Sequence, residues 1–473
     1  MKNLSFARYW MKESYRMRIE LSKTISMSEL LTHFGDLCIA NFADDTEIKA
    51  ICTDSQNAHH SDLFFALNGE RFNGEDYAKE AVSNGAIAVT RQSIKKGISV
   101  SDVPTALLRT ASLYKTKLKK LKYTVAVTGS VGKSTVKEFI RSLLSEKLVT
   151  HATHGNYNNY IGVSHTILSA PEDTEALVIE MGMNHSGEIS SLSRTAQPDI
   201  CVITNIGTAH IGNLGSRENI AKAKLEILDG MRTRRAIVPY GEELLMLPGI
   251  ITSDLDSCLS DISLITGNDG SYSFRYFDEC TRGLKINLNA RHHLYNMMLA
   301  IGVAKAIGMS DDEIHRGVET INTSKLRQRF IHLNGYTIFD DSYNASLESI
   351  IADFRFLKSL GSESIGAFIG DILELGDSSK KIHKMIGSAA TEYGLSSLYL
   401  IGNYSQYIAE GAIESGFNAS RIFINRDIGK PEISINQIIH NHLLSEVILF
   451  KASHRLRLDK IADALIAKER NKE

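Results

Sequence analysis

A segment near position 130 has the residue types of a phosphate-binding loop. It lies between an apolar stretch and a helical pattern that continues to about Lys147, and it reads Gly129-Ser130-Val131-Gly132-Lys133-Ser134-Thr135. The glycines let backbone N–H groups approach phosphate oxygens, the Lys133 ammonium adds positive charge, and the Ser134 hydroxyl can ligate Mg²⁺. The strict motif has glycine where this chain has Val127, and an ordinary strand-to-helix turn is the alternative. The position between a strand and a helix favours nucleotide binding.

Two further polar residues follow apolar stretches that have the character of buried strands. Glu180 ends the run Ala-Leu-Val-Ile-Glu, and His210 lies in the loop that follows Ile-Cys-Val-Ile. Because the carboxyl ends of parallel strands meet at one edge of a sheet, we expect both side chains beside the phosphate loop. Mg²⁺ prefers oxygen ligands, which makes Glu180 the stronger candidate, whereas His210 alone is more typical of a hydrogen-bonded loop histidine. The pattern predicts phosphoryl transfer, and hydrolysis, kinase chemistry and ATP-driven ligation all remain open.

The elements that must position these residues alternate along the chain. Apolar strand patterns and helical patterns follow one another as βαβ units require, so the fold class is α/β. We predict a small mixed α/β N-terminal domain over 25–104, a central P-loop ATPase parallel sheet over 105–323, and a C-terminal Rossmann-like doubly wound sheet over 324–473. The predicted strands of the two larger sheets are 123–128, 176–180, 200–204, 236–238, 336–340, 365–369, 397–401, 421–424 and 447–450.

Length and composition exclude several classes of protein. The 473 residues, at about 150 per domain, predict three domains. With 53 basic and 55 acidic residues the net charge is −2, which argues against nucleic acid as a partner. There is no apolar run long enough for a transmembrane segment. The five cysteines form no C-x-x-C pair, so neither a zinc site nor a disulfide framework is expected. This use of cysteine predicts a cytoplasmic location.

The first 24 residues form a predicted N-terminal extension with several basic side chains. They lack the apolar core of a secretory signal. An amphipathic surface helix and a transit peptide are both compatible with this composition, and the acidic residues that interrupt the stretch favour the surface helix.

Several segments in order along the chain carry a family resemblance. They are the phosphate loop Gly129–Ser134, Asn-Tyr-Asn-Asn-Tyr-Ile-Gly at 156–162, Glu-Met-Gly-Met-Asn-His-Ser-Gly-Glu-Ile at 180–189, Asp-Asp-Ser-Tyr-Asn-Ala at 340–345, and Gly-Asp-Ile-Leu-Glu-Leu-Gly at 370–376. This set resembles the Mur ligases, which form amide bonds with ATP in peptidoglycan synthesis. The 180–189 segment is similar to that of the branch that adds D-alanyl-D-alanine. The resemblance implies UDP-N-acetylmuramoyl tripeptide and D-alanyl-D-alanine as substrates, ATP and two Mg²⁺ as cofactors, and a monomer.

The resemblance also implies roles for individual residues. The catalytic set is Lys133, Glu180, His210, Lys224 and Arg327. The nucleotide contacts are Gly129, Ser130, Val131, Gly132, Lys133, Ser134, Thr135, His292, Asn296, Arg327 and Asp341. The substrate contacts are Ser55, Asn159, Asn184, His185 and Lys451, and the metal ligands are Ser134, Glu180, His210 and a carbamylated Lys224. A carbamate gives lysine the anionic oxygen that Mg²⁺ requires.

The chain departs from the family pattern at three positions. His293 stands where the family has asparagine, His454 where it has arginine, and Gln56 where it has arginine. These departures leave two alternatives to the D-alanyl-D-alanine ligase. One is a Mur-like ligase with another amine acceptor, as in folate polyglutamate or cyanophycin ligases. The other is a weakened nucleotide-binding homologue that acts as a regulator or scaffold. Because Arg327 and Asp341 lie outside the phosphate-loop domain, the ligase mechanism also requires that the third domain close on the second.

Overall fold

The computed structural model describes residues 17–40, 46–69, 72–233, 235–245, 250–254, 260–286, 290–321, 328–333, 335–425 and 445–470. Three sheets flanked by helices follow one another along the chain, which confirms the predicted α/β fold class. Among the described residues no helix combines the length and the apolar character needed to cross a membrane.

The first sheet is mixed and has six strands. Its strands are β1 (Arg18–Ser26), β2 (Cys38–Ala40), β3 (Glu47–Cys52), β4 (Asp62–Phe65), β5 (Ile87–Thr90) and β6 (Gly97–Val100), and its helices are α1 (Met27–Phe34) and α2 (Ala78–Ser83). The strand order is β1-β3-β4-β5-β6-β2. Strands β3 to β6 run parallel, and the two edge strands β1 and β2 pair antiparallel with their neighbours.

The start of this sheet corrects the predicted boundary after residue 24. Strand β1 pairs with β3 from Arg18 onward, and Ile19 and Ile25 are both buried in the core. Arg18 also makes two hydrogen bonds to Asp62, from Nε at 2.7 Å and from Nη2 at 3.0 Å. Residues 18–24 therefore belong to the first domain rather than to an extension, and residues 1–16 lie outside the described part of the chain.

The second sheet has nine strands and carries the phosphate loop. Its strands are β7 (Tyr123–Thr128), β8 (Thr150–Ala152), β9 (Ala176–Glu180), β10 (Ile200–Ile203), β11 (Ala236–Pro239), β12 (Ile250–Ser253), β13 (Ile262–Thr266), β14 (Tyr272–Tyr276) and β15 (Glu279–Cys280). The order is β15-β14-β13-β12-β11-β10-β7-β9-β8. Strand β7 lies between β9 and β10 and runs parallel to both, and the chain departs to opposite sides of it. Such a switch point is where open α/β sheets bind ligands.

Helices cover both faces of this sheet. They are α3 (Val103–Lys117), α4 (Lys133–Leu144), α5 (Tyr160–Leu168), α6 (Glu188–Ala196), α7 (Ile211–Leu214), α8 (Arg217–Leu225), α9 (Arg291–Ala306) and α10 (Asp311–Glu319). Val125 and Val127 of β7 pack in the core with α4 and α9, whereas Ala126 belongs to the core on the other face. The boundary predicted at residue 104 falls inside α3, which begins at Val103 after the capping residue Asp102.

The third sheet is open and doubly wound, as predicted. Its strands are β16 (Arg329–Leu333), β17 (Tyr336–Asp340), β18 (Ile365–Gly370), β19 (Ser397–Ile401), β20 (Ile422–Asn425) and β21 (Val447–Lys451), in the order β16-β17-β21-β18-β19-β20. Its helices are α11 (Leu347–Ser359), α12 (Ser379–Glu392), α13 (Ser405–Glu414) and α14 (Leu458–Arg470). Only β16 is antiparallel to its neighbour. The boundary predicted at 323 lies outside the described residues.

Candidate active site

The phosphate loop joins β7 to α4, and residues that follow β10 determine its shape. The backbone N–H of Val131 donates to Asn205 Oδ1 at 3.0 Å, and the hydroxyl of Ser130 accepts from the N–H of Gly207 at 2.9 Å. Gly129 has a φ of +146°, and a Cβ there would overlap the hydroxyl of Thr204. Glycine is required because the loop combines a positive φ with close packing.

Lys133 begins helix α4, and its side chain folds back over this loop. Its Nζ donates to the carbonyl of Gly129 at 2.7 Å and to that of Ser130 at 3.3 Å. The helix begins directly after Gly132, which has a φ of +86°. The ammonium and the N–H groups at the helix N-terminus thus lie together, an arrangement suited to binding phosphate.

Glu180 ends β9 and has one carboxylate oxygen available for a cation. Its side chain is buried, and Oε1 accepts from Asn158 Nδ2 at 2.8 Å. Oε2 is also buried and has no hydrogen-bond partner among the described residues. A buried polar atom without a partner requires an explanation, and an absent metal ion is one. The prediction of Glu180 as a metal ligand therefore fits its surroundings.

Lys224 on α8 is the second notable group, because a lysine is buried and no acidic side chain of the described residues forms an ion pair with it. Only 2% of the residue is exposed. Burial and the nearby Lys133 ammonium hold the pKa of Lys224 well below its usual range. A neutral amine is the form that reacts with CO₂, so this environment favours the carbamate that the family resemblance implies.

A carbamate at Lys224 would add an anionic oxygen ligand to this site. In the described part of the chain no three His, Cys, Asp or Glu side chains come together in a way that could hold a metal ion. Glu180 and His210 are the two residues of those types in the predicted ligand set. Oxygen from Ser134 and from a modified Lys224 would complete it.

On this side of the cavity, His210 of the second domain contacts the third domain. Its Nδ1 lies 2.7 Å from Glu374 Oε2, and the contact with the imidazole lowers the pKa of that carboxyl. Both residues adopt left-handed backbone conformations, with φ of +63° and +64°. The N–H of Gly212 donates to the carbonyl of Glu374 at 3.1 Å. Two strained residues are thus held against each other across the boundary between domains.

Helix α9 forms the opposite wall. Asn296 lies against the phosphate loop, since a Cβ on Gly132 would come within 2.9 Å of its Oδ1. His292 is half-buried, and loss of hydration together with the neighbouring His293 lowers the pKa of His292 to about 3. Both imidazoles approach Gln328 Oε1 through Nε2, at 3.2 Å for His292 and 2.7 Å for His293.

The phosphate loop, Glu180, Lys224, His210 and the start of α9 line one cavity of about 460 Å³ between the second and third domains. Sixteen of the predicted site residues line it: Gly129, Ser130, Val131, Gly132, Lys133, Ser134, Thr135, Asn159, Glu180, Asn184, His210, Lys224, His292, Asn296, Asp341 and Lys451. The structure therefore brings together most of a set that is dispersed along the sequence.

Two predicted site residues are described and do not line this cavity, and a third is not among the described residues. Ser55 is buried in the first domain, where its hydroxyl donates to Glu80 Oε2 at 2.5 Å. His185 is exposed, with Nδ1 3.2 Å from Glu188 Oε1, and does not line the cavity. Arg327 lies outside the described residues.

The departures from the family pattern lie in different places. His293 lines the cavity, whereas His454 lies behind Tyr343 and its Nδ1 is 3.1 Å from the Tyr343 carbonyl oxygen. Gln56 is exposed in the first domain. Of the three, only His293 is in a position to affect the cavity directly.

Sequence reasoning missed several residues that position this site. Asn158 contacts Glu180 and lies in the segment 156–162 that resembles the family, and Asn205 anchors the phosphate loop from the segment after the apolar run Ile-Cys-Val-Ile; these positions were the available signal. Gln328, Asp353 and Glu374 come from the third domain. Their sequence neighbourhoods gave no indication of what they contact.

Comparison with known proteins agrees with this geometry. Residues 127–304 match the Mur ligase middle domain. The chain is 32% identical over 443 residues to UDP-N-acetylmuramoyl-tripeptide--D-alanyl-D-alanine ligase of Bacillus subtilis strain 168, covering 89% of this chain and 94% of that protein. It superposes on MurF from Acinetobacter baumannii with a TM-score of 0.83 and 28% identity, covering 95% of this chain and 100% of the other.

A second solved structure is informative about the nucleotide. MurF ligase from Thermotoga maritima, solved in complex with ADP, has a TM-score of 0.76 and 26% identity, covering 89% of this chain and 98% of the other. The full-length match to relatives, the middle-domain match and the assembled cavity agree. The chain belongs to the Mur ligase family, whose members are ATP-dependent amide ligases.

Proposed function

We propose that this protein joins D-alanyl-D-alanine to UDP-N-acetylmuramoyl tripeptide with ATP, through an acyl phosphate. The observation that carries the proposal is the single cavity in which the phosphate loop, Glu180 and Lys224 face Asp341 and Lys451 of the third domain. A loop for ATP, a candidate metal site and a cation from another domain are the parts that carboxylate activation requires.

The chemistry follows from the poor reactivity of a carboxylate toward amines. The tripeptide carboxylate attacks the γ-phosphorus of ATP, ADP leaves, and an acyl phosphate forms. The amine of the dipeptide then attacks the acyl carbon, and phosphate and a proton are released as the amide bond forms. Lys133 and the loop N–H groups orient the transferred phosphate and reduce the repulsion between the two anions. Arg327, which we propose as a further cation at the γ-phosphate, lies outside the described residues.

The candidate metal ligands have a defined part in this proposal. Ser134, Glu180, His210 and a carbamylated Lys224 would hold Mg²⁺, which supplies positive charge beside the transferred phosphate. The buried Glu180 Oε2 and the buried Lys224 amine with its lowered pKa are the two features of the site that fit such an ion. Reaction of that amine with CO₂ releases a proton and gives an anionic carbamate.

Mass spectrometry of the product tests the assignment. Purified protein is incubated with UDP-N-acetylmuramoyl tripeptide, D-alanyl-D-alanine and ATP, and reactions without ATP or with Lys133→Ala serve as controls. We expect a pentapeptide product in amounts equal to the ADP released. Folded protein that binds ATP but forms no pentapeptide would refute the proposal.

The same assay separates the two alternatives. ADP release with another amine in place of the dipeptide would indicate a ligase with a different acceptor. ATP binding without phosphate release for any amine tested would indicate a regulator or scaffold. We further propose a cytoplasmic monomer, since ATP and a nucleotide-linked precursor are its substrates.

A further inference from the structure

A buried chain of polar side chains connects helix α9 of the second domain to the third domain. Gln328, directly before β16, is its central member. Its Oε1 lies 2.7 Å from His293 Nε2, and its Nε2 donates to Asp353 Oδ1 on α11 at 2.8 Å. The Gln328 NH₂ faces Asp353 and its oxygen faces the histidines, which is the orientation that suits an ionised Asp353, because an ionised carboxylate only accepts hydrogen bonds.

That orientation also determines the state of His293. The imidazole must donate from Nε2 to the Gln328 oxygen, and burial lowers the pKa of His293, which favours the neutral ring. The neutral Nε2–H tautomer satisfies both conditions. His293, one of the three departures from the family pattern, is thus a member of this series of polar contacts.

At its other end the chain of contacts reaches Lys451. The Lys451 ammonium forms an ion pair with Asp341, and it lies 2.8 Å from Asp353 Oδ2. The side chains of Lys451, Asp341 and Asp353 are 3%, 12% and 1% exposed, respectively. A lysine has a flexible stem and presents a point charge, so its direction is fixed only by the groups around it.

When Asp341 and Asp353 are both ionised, their two negative charges exceed the single positive charge of Lys451. Burial raises the pKa of Asp353 to about 8, an effect that Lys451 opposes and Asp341 reinforces. Lys451 keeps its charge, since the two carboxylates outweigh the effect of burial and raise its pKa. Among the described residues, the ionisable groups that face Asp353, directly or through Gln328, are Lys451, Asp341, His292 and His293.

We propose that Asp353 is a positioning residue that, with Asp341, holds the Lys451 ammonium at the cavity wall and, through Gln328, connects that ammonium to His293 of the second domain. The cation is then correctly placed only when the two domains adopt this arrangement. The proposal deepens the proposed function and rests on it, because Lys451 is the cation that the third domain contributes there, at a position where the family resemblance implies a substrate contact.

A double-mutant cycle on kcat/KM for D-alanyl-D-alanine, at saturating ATP and tripeptide, tests the connection. We expect Asp353→Asn and His293→Ala each to lower kcat/KM at least tenfold at pH 9, with the Kd for ATP changed less than threefold. The double variant should lose no more than the worse single variant, because both act through Gln328. His293→Gln, which can place an N–H near the position of Nε2, should restore most of the loss. Asp377→Asn, at an exposed acid of the same domain, is the matched control and should have no effect.

The pH dependence adds a readout that a purely structural role would leave unchanged. The ratio of kcat/KM for the unmodified enzyme to that for Asp353→Asn cancels the ionisation of the amine substrate. The unmodified enzyme loses the Asp353 charge below the pKa of about 8, so the ratio should rise as the pH is raised through that value. A ratio independent of pH, or additive effects in the cycle, would overturn the proposal.

Hydrogen exchange without substrates separates this inference from the proposed function. Asp353→Asn and His293→Ala should increase deuterium uptake in the same peptides from α9 and β21, and the control should not. If the unmodified enzyme forms no pentapeptide but this shared pattern is present, the proposed function fails while the connection stands. If pentapeptide forms but the two variants change deuterium uptake in different peptides, the proposed connection between Asp353 and His293 is refuted.

Discussion

Gly129→Ala offers a test of the phosphate loop whose magnitude can be worked out from the structure. A Cβ at this position would overlap the Thr204 hydroxyl and lie 3.0 Å from the Thr204 backbone nitrogen. The hydroxyl cannot move without cost, since it donates to the carbonyl of Val131 inside the loop. Either Thr204 or the loop must therefore shift.

The two contributions can be added. A side chain at a backbone conformation suited to glycine costs roughly 1–3 kcal/mol. Loss of the hydrogen bond from Thr204 to Val131 costs about 1 kcal/mol. If the altered loop relaxes in the absence of nucleotide, ATP must restore its shape, and the Kd for ATP should rise by about 30-fold to several-hundred-fold for a total of about 2–4 kcal/mol.

Isothermal titration with ATP measures the effect of the substitution on ATP binding, and thermal unfolding measures its effect on folding stability. Gly394→Ala is the control, because Gly394 has a φ of +75° with no atom within 4 Å of a Cβ. We expect the control to lower only the melting temperature and Gly129→Ala to weaken ATP binding. A Kd within threefold of the unmodified value, with an unchanged melting temperature, would refute the steric argument.

Three further outcomes are expected. Lys224→Ala should remove a ¹³C-carbamate signal that the unmodified protein gives after exposure to ¹³C-labelled bicarbonate, and ligase activity should fall at least a hundredfold. Glu374→Gln should weaken the hold on His210 and raise the Mg²⁺ concentration needed for half-maximal activity about tenfold, because a carboxylate partner orients an imidazole ligand. Arg18→Ala should destabilise the first domain by about 2–3 kcal/mol in chemical denaturation, since the fully buried Asp62 loses a bidentate partner.

The central strands could be predicted from the sequence because their surroundings are uniform. Tyr123–Thr128 and Ala176–Glu180 are covered on both faces, so their apolar runs are continuous and their limits agree with the prediction. The short edge strand Thr150–Ala152 was not predicted, because its residues are only half-buried. Arg18–Ser26 has charged and polar residues on its exposed positions, and its pairing with β3 was visible only in the structure.

The residues of the candidate site likewise divide into those that the local sequence pattern predicts and those that it does not. The phosphate loop and Glu180 lie at ends of buried strands of one sheet, where local pattern and topology suffice to bring them together. Lys224 illustrates the limit of local pattern, because a lysine on an amphipathic helix is ordinarily exposed and only the resemblance distinguished it. Glu374 and Asp353 act across a domain boundary, and no local pattern encodes which side chains meet there.

The contacts across that boundary have a common consequence. Glu374 contacts His210, a proposed metal ligand, Glu348 accepts from the N–H of Thr208 at 2.7 Å beside the phosphate loop, and Gln328 contacts His293 beside the proposed nucleotide contact His292. Each subsite of the second domain therefore has its own contact with the third. Because the three contacts come from one domain, a displacement of that domain would disturb all three at once, whereas loss of one contact would affect chiefly the residues around it. The third domain thus acts as a single template for the assembled cavity.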